Sequence, residues 1–241
     1  MRANSASSFQ TTSWTVVLAA SVDSSADADG ALAHFCQIYW HPIYAFIRRR
    51  GYDRDQAEDL TQGFFAQLLA KHYLLDADRE RGRFRSFLLT AVKHFIANEW
   101  DRSHALKRGG SQTVVSIDLV EAERWLGPAI VEADTPEHLF ERRWALSLLE
   151  HVMAKLRAEF NDAEKAGRFD VLAGFLNREA ESDRYQAVAE RLGVSSGALR
   201  MSVHRLRRRY RELLRAEIAG TVGAPGQIDD EIRFLLAALS G

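Results

Sequence analysis

The chain has 241 residues, enough for one medium domain or two small helical ones. Hydrophobic residues make up 46% and charged residues 27%, the balance of a globular protein, and only four prolines stand beside abundant Ala, Leu, Arg and Glu, which favours an all-helical fold. The formal net charge of −1 argues against a free-standing, non-specific nucleic-acid binder, and the single cysteine excludes an intramolecular disulfide or a cysteine-rich zinc site.

The basic residues are nevertheless clustered, at Arg48 to Arg50, Arg79 to Arg85 and Arg200 to Arg215. A DNA reader with local basic patches therefore stays open. The eight histidines show no HExxH or similar spacing, so neither a metal nor a cofactor is expected. Trp14–Ala20 is too short for a signal peptide, and no apolar run approaches the ~20 residues of a membrane span. A cytoplasmic protein with no membrane association is expected.

In chain order, residues 1–12 are Ser-, Thr- and Ala-rich and read as disordered. Trp14–Ala20 reads as a short apolar turn capped by Ser13, and residues 21–30 as a loop. From Ala31 to Arg50, Leu32, Phe35, Cys36, Tyr39, Ile43, Phe46 and Ile47 recur in steps of three and four, one face of a helix. Pro42 should kink this helix and Gly51 should stop it. Cys36 sits at a core-type position and reads as a buried thiol rather than a redox sensor.

A second helix starts at Asp53, where Gln56 completes a capping-box-like pair. Its apolar stripe is Leu60, Phe64, Phe65, Leu68 and Leu69. Asp76–Gly82 is a charged loop. A third helix spans about Arg83 to Leu106, with Phe84, Leu88, Ala91, Val92, Phe95 and Ile96 facing one way and Ser86, Thr90, Lys93, His94 and Asp101 the other. Gly109-Gly110 ends it. Residues 109–134 read as a linker, with a short β-like run from Val114 to Leu119 and a Gly127-Pro128 pair.

Thr135-Pro136-Glu137 is a helix start: a capping hydroxyl, a proline in the first turn and an acid at the positive end of the dipole. That helix continues through Trp144, Leu148, Leu149, Val152, Leu156 and Phe160, and another follows over Phe169–Leu176. Tyr185–Leu192 is a short helix ended by Gly193, and Ser195 or Ser196 can cap the next. The next helix places Leu199, Val203, Leu206, Tyr210 and Leu213 on one face. Gly197, Met201, His204, Arg205 and Arg208 lie on the other, with Arg200 on its flank. The pattern is that of a helix-turn-helix whose second helix can enter a major groove.

After Gly223-Ala224-Pro225-Gly226, Ile228, Ile232, Leu235, Leu236 and Leu239 recur at helical spacing, and Asp229, Asp230 and Glu231 place acids in the first turn. So regular an apolar face should pack on the rest of the chain. Either it inhibits by covering Arg200–Arg208, or it packs elsewhere as a brace; the brace is the expectation.

Two further stretches carry a family resemblance: EDLTQGFF, Glu58–Phe65, and RGRFRSFLLTAVKHFIANEWDR, Arg81–Arg102. With the helix-turn-helix, they make residues 31–102 resemble region two, and residues 137–216 region four, of the sigma-70 family of bacterial RNA polymerase sigma factors, in its extracytoplasmic-function group. The resemblance implies two small helical domains: 1–30 a tail, 31–108 the region-two-like domain, 109–134 a flexible linker, 135–220 the region-four-like domain and 221–241 an extension. It implies a transcription initiation factor, not an enzyme. Its partners would be core RNA polymerase, through the β′ and β subunits, and promoter DNA, and it leaves room for an anti-sigma factor.

By that resemblance Glu58, Asp59 and Gln62 would dock on the polymerase. Arg83, Arg85, Phe87, Lys93 and His94 would melt and capture the −10 element, with bases stacked on the aromatic and phosphates met by the cations. Ser196, Arg200, Met201, His204, Arg205 and Arg208 would read the −35 element. The chain departs from the family pattern in several places: Gly63 stands where an acid is usual, Lys93-His94 where an Arg-Asn pair is common, and Met201-Ser202 where Ser-Arg is common, and region four carries extra residues around Asn161–Arg168 and the extension Thr221–Gly241. The competing reading is a helix-turn-helix regulator with a helical, ligand-sensing N-terminal domain. The sequence holds no phosphate-binding glycine loop, nucleophile elbow or metal-ligand cluster that would point to catalysis.

Overall fold

A computed structural model describes residues 26–70, 83–105, 135–160, 163–176 and 182–240. The expected disordered tail, the Trp14–Ala20 turn, the Asp76–Gly82 loop and the 109–134 linker lie outside these residues. Among the described residues all regular structure is helical. No helix among them is long and apolar enough to cross a membrane.

The helices are α1 Ala26–Arg49, α2 Arg54–Ala70, α3 Phe84–Ala105, α4 Pro136–Ala158, α5 Ala163–Ala173, α6 Ser182–Leu192, α7 Ser196–Ala219 and α8 Ile228–Ser240. A single 3-10 turn, Pro225–Gln227, precedes α8. Two differ from the sequence reading at their starts. Residues 26–30 are helical rather than loop, because Ala26 and Ala28 carry enough propensity to extend a helix nucleated downstream. The helix expected over Phe169–Leu176 begins earlier, at Ala163.

The described parts of 1–148 and 218–241 form one compact unit, and those of 149–217 a second. The boundary falls inside α4. The sequence reading grouped residues 135–148 with the C-terminal domain and set 221–241 apart; packing groups both with the N-terminal unit.

In the N-terminal unit α1 is central. From Ile38 to Ile47 only His41 escapes full burial, so the single apolar stripe expected there is instead buried all round, as in an interior helix. The helix runs through Pro42, itself buried. An aromatic cluster joins α1 to its neighbours: Phe35 meets Phe65 of α2 and Phe84 of α3, both with centroids 5.6 Å apart, and Tyr39 meets Phe84 at 5.3 Å. The Asp53 carboxylate accepts from the Gln56 amide at 2.8 Å and Gln56 Oε1 accepts from the Asp53 amide at 3.2 Å, completing the capping box at the head of α2. At α4 the Thr135 hydroxyl caps the His138 amide at 3.2 Å.

Gly63 has a steric reason. A Cβ there would lie 3.3 Å from the ring of Phe95, tighter than a relaxed contact, so the bare backbone lets α3 pack closely against α2.

Cys36 is half-buried, and burial pushes its thiol pKa up to about 11. Near pH 8 only about one thiol in a thousand is then ionised, against roughly a quarter for an exposed cysteine. Alkylation by iodoacetamide should therefore run on the order of 100-fold slower in the native protein than in urea. Equal rates would mean that Cys36 is a reactive thiol.

The second unit packs the C-terminal half of α4 with α5, α6 and most of α7. Its core includes Val152, Leu156, Phe169, Leu172, Phe175, Tyr185, Leu199, Val203 and Leu206, and the Phe175 and Tyr185 rings lie 4.7 Å apart.

Candidate nucleic-acid interface

In the second unit, α6 and α7 are separated by the turn Gly193–Ser195. Gly193 adopts φ +64, a left-handed conformation that side chains with a Cβ resist. Its neighbour Val194 returns its amide to the Ala189 carbonyl at 3.0 Å and closes α6, and its side chain is exposed. Of the two candidate caps, Ser195 is the one used: its hydroxyl accepts from the Ala198 amide at 3.2 Å. Ser196 becomes the first residue of α7 and is half-buried.

Leu199, Val203, Leu206 and Leu213 bury one face of α7, as expected, with Tyr210 half-buried beside them. Gly197, Arg200, Met201, His204, Arg205 and Arg208 are all exposed. The Arg200 guanidinium lies 5.0 Å from the centroid of Tyr185, which holds its stem against α6. Arg208 pairs loosely with Glu212 at 3.4 Å, an exposed contact of little energetic weight.

The arginine run is not uniform. Arg207 donates to the Phe175 carbonyl at 2.6 Å, and Arg209 forms a paired contact with Glu159 at 2.7 and 2.9 Å. These two tie α7 to the rest of its own unit. The Ser202 hydroxyl donates to the Ala198 carbonyl of its own helix at 3.0 Å. The exposed surface thus presents Arg200, Met201, His204, Arg205 and Arg208 from the second turn to the middle of α7, one cationic strip on a single helix.

In the N-terminal unit, α2 carries Glu58, Asp59 and Gln62. Asp59 is exposed, and Gln62 donates to Glu58 at 3.0 Å one helical turn away. Partial desolvation and then the neighbouring Asp59 charge hold the Glu58 carboxyl above its ordinary pKa. On the other side Ala57, Thr61, Phe64, Phe65 and Leu68 are buried, with the Thr61 hydroxyl satisfied by the Ala57 carbonyl. Leu60, expected in the stripe, is half-buried.

The residues assigned to strand capture on α3 separate into two groups. His94 is exposed, and Phe87 is half-buried with its ring 5.9 Å from that of Phe84. Lys93 pairs with Glu137 of α4 at 2.7 Å, and both side chains are 38% exposed, so the pair is easily exchanged with solvent or another anion. That hydrogen bond holds the Glu137 carboxyl below its ordinary pKa.

Arg83 and Arg85 behave differently. Arg85 is buried, its Nε 2.7 Å from Oε1 of Glu231, a fully buried carboxylate on α8. Its Nη1 reaches Glu141 of α4 at 3.3 Å, and its guanidinium lies 3.5 Å from the Phe234 centroid and 5.5 Å from that of Trp144. Arg83, partly exposed, meets the same Glu231 at 2.8 Å. As it stands, Arg85 cannot touch a nucleic acid. Sequence reasoning missed Glu231, placing it as a first-turn acid for the helix dipole. A carboxylate in phase with Leu235, one turn on, was the available signal.

A small apolar cleft lined by Phe64, Gln67, Leu68, Ala91 and Phe95 encloses about 20 Å³, room for a single water-sized group. No group of His, Cys, Asp and Glu that could hold a metal occurs among the described residues. Comparison with protein-family models, with curated proteins and with solved structures found no match to this chain.

Proposed function

We propose that this chain is a transcription initiation factor of the sigma-70 kind, which binds core RNA polymerase and directs it to promoters. The N-terminal unit would melt and hold the −10 element, and α6 and α7 would act as a helix-turn-helix on the −35 element. The observation that carries this reading is α7. Its turn is set by Gly193 and capped by Ser195, and its N-terminal half offers Arg200, His204 and Arg205 to solvent, the part of such a helix that meets base edges. The near-neutral net charge fits a subunit that reads sequence while the polymerase supplies much of the phosphate-binding surface.

The polymerase-docking residues give the test. Asp59→Ala with Gln62→Ala removes one exposed and one half-buried side chain from the polar side of α2, so the unfolding free energy should hold within about 0.5 kcal/mol of wild type. Pull-down of core polymerase, and run-off transcription from a genomic promoter library, should both fall at least about tenfold. A wild-type chain that binds promoter duplex but no core polymerase would instead favour a helix-turn-helix regulator.

A further inference from the structure

The surroundings of Arg85 imitate a nucleotide. A guanidinium engaged by nucleic acid typically has a phosphate oxyanion on its edge and a base ring on its face. Arg85 has both from α8: the Glu231 carboxylate on its edge at 2.7 Å and the Phe234 ring on its face at 3.5 Å. Arg83 shares the same carboxylate at 2.8 Å. We propose that α8 is an autoinhibitory occupant of a nucleotide subsite formed by Arg83 and Arg85, with Glu231 in the place of a phosphate and Phe234 in the place of a base. The proposal rests on reading these two arginines as single-strand contacts.

The composition of the contact favours an exchangeable occupant over a fixed brace. Of the apolar residues of α8, only Leu235 is fully buried; Ile232, Phe234 and Leu239 are half-buried, and Leu236 is exposed. Of the five-residue apolar face expected from the sequence, Leu236 stays exposed, and beside the apolar packing centred on Leu235 the docking carries the charge cluster of Arg83, Arg85, Glu141 and Glu231. A polyanionic strand competes for that cluster directly and does not compete for an apolar core. The segment before α8 contains Gly223, half-buried, and Gly226, exposed, where the backbone can pivot without breaking α7. The Phe84 amide donates to the Thr221 carbonyl at 2.9 Å, and Thr221 and Val222 are buried, so the start of this segment is held in place and a displaced α8 would pivot beyond it.

The test uses the full chain and a fluorescein-labelled, mixed-sequence single-stranded DNA 20-mer, read by anisotropy at fixed salt. Glu231→Gln keeps the side-chain shape and one carbonyl acceptor for Arg85 but removes the competing charge. Phe234→Leu keeps apolar packing but removes the ring from the guanidinium. Each should bind the probe about tenfold more tightly, the gain expected when a mostly closed competitor is released. Arg83→Gln added to Glu231→Gln should cancel that gain. Asp230→Asn, on the exposed side of α8 where Asp230 pairs with Arg233 at 2.7 Å, should change nothing. Folded variants that bind no tighter than wild type overturn the proposal. So does failure of both variants to fold, because a displaceable occupant cannot be what holds the unit together. Core-polymerase pull-down of the wild type judges the sigma reading separately: core binding without any gain for Glu231→Gln sinks autoinhibition alone, and a gain without core binding keeps the latch and sinks the sigma reading.

Discussion

Phe84→Ala should cost the N-terminal unit about 3–5 kcal/mol, while Phe87→Ala, three residues on, should leave stability within about 1 kcal/mol of wild type. Phe84 is fully buried at the meeting point of α1 and α3, edge-on to Phe35 and Tyr39, and no neighbour can collapse into the space its ring would vacate without disturbing both. Phe87 is half-buried, with its ring 5.9 Å from that of Phe84. The functional effects should invert. If bases stack on Phe87, its truncation removes about 1–3 kcal/mol of single-strand affinity. Chemical denaturation and single-strand anisotropy on the two variants check the pair. A Phe87→Ala protein with unchanged strand binding would remove the aromatic part of the −10 assignment.

The second contrast lies on α7. Arg205→Ala should weaken promoter duplex binding by about 1–3 kcal/mol without moving the unfolding midpoint, because the side chain is exposed on the cationic strip. Arg207→Ala, two residues away, should do the reverse. It removes the 2.6 Å bond to the Phe175 carbonyl, and leaving that acceptor unmet costs about 1–3 kcal/mol of stability. Mobility-shift titration and thermal melting separate them. If Arg205→Ala melts early or Arg207→Ala alone loses DNA, the face assigned to DNA is the wrong one. A base contact at Arg205 should relax preference at one promoter position, whereas a phosphate contact should weaken all sequences alike.

These contrasts mark the boundary between what periodicity carries and what it does not. The helices were legible because local rules act over a turn or two. The Asp53 and Gln56 capping box, the Thr135 cap, Gly193 in its left-handed turn, and the steps of three and four through Leu199, Val203 and Leu206 need no distant partner. The exposed set on α7, from Arg200 to Arg208, followed from the same periodicity, since whatever is out of phase with the buried stripe faces solvent.

Sequence by itself therefore determined the helical class, most helix positions and the polar faces on which the candidate residues lie. Tertiary structure decided three things that no local pattern contains. It made α1 an interior helix, buried from Ile38 to Ile47 apart from His41, on sides that one stripe could not announce. It divided a run of like arginines into anchors, Arg207 and Arg209, and solvent-exposed cations, because a guanidinium's role depends on whether a carbonyl or carboxylate from another element comes within reach. And it buried Glu231 against Arg85, 146 positions apart in the chain. A charge can be taken out of water only where an opposite charge meets it, and such pairings are chosen by the folded chain, not by its local spacing.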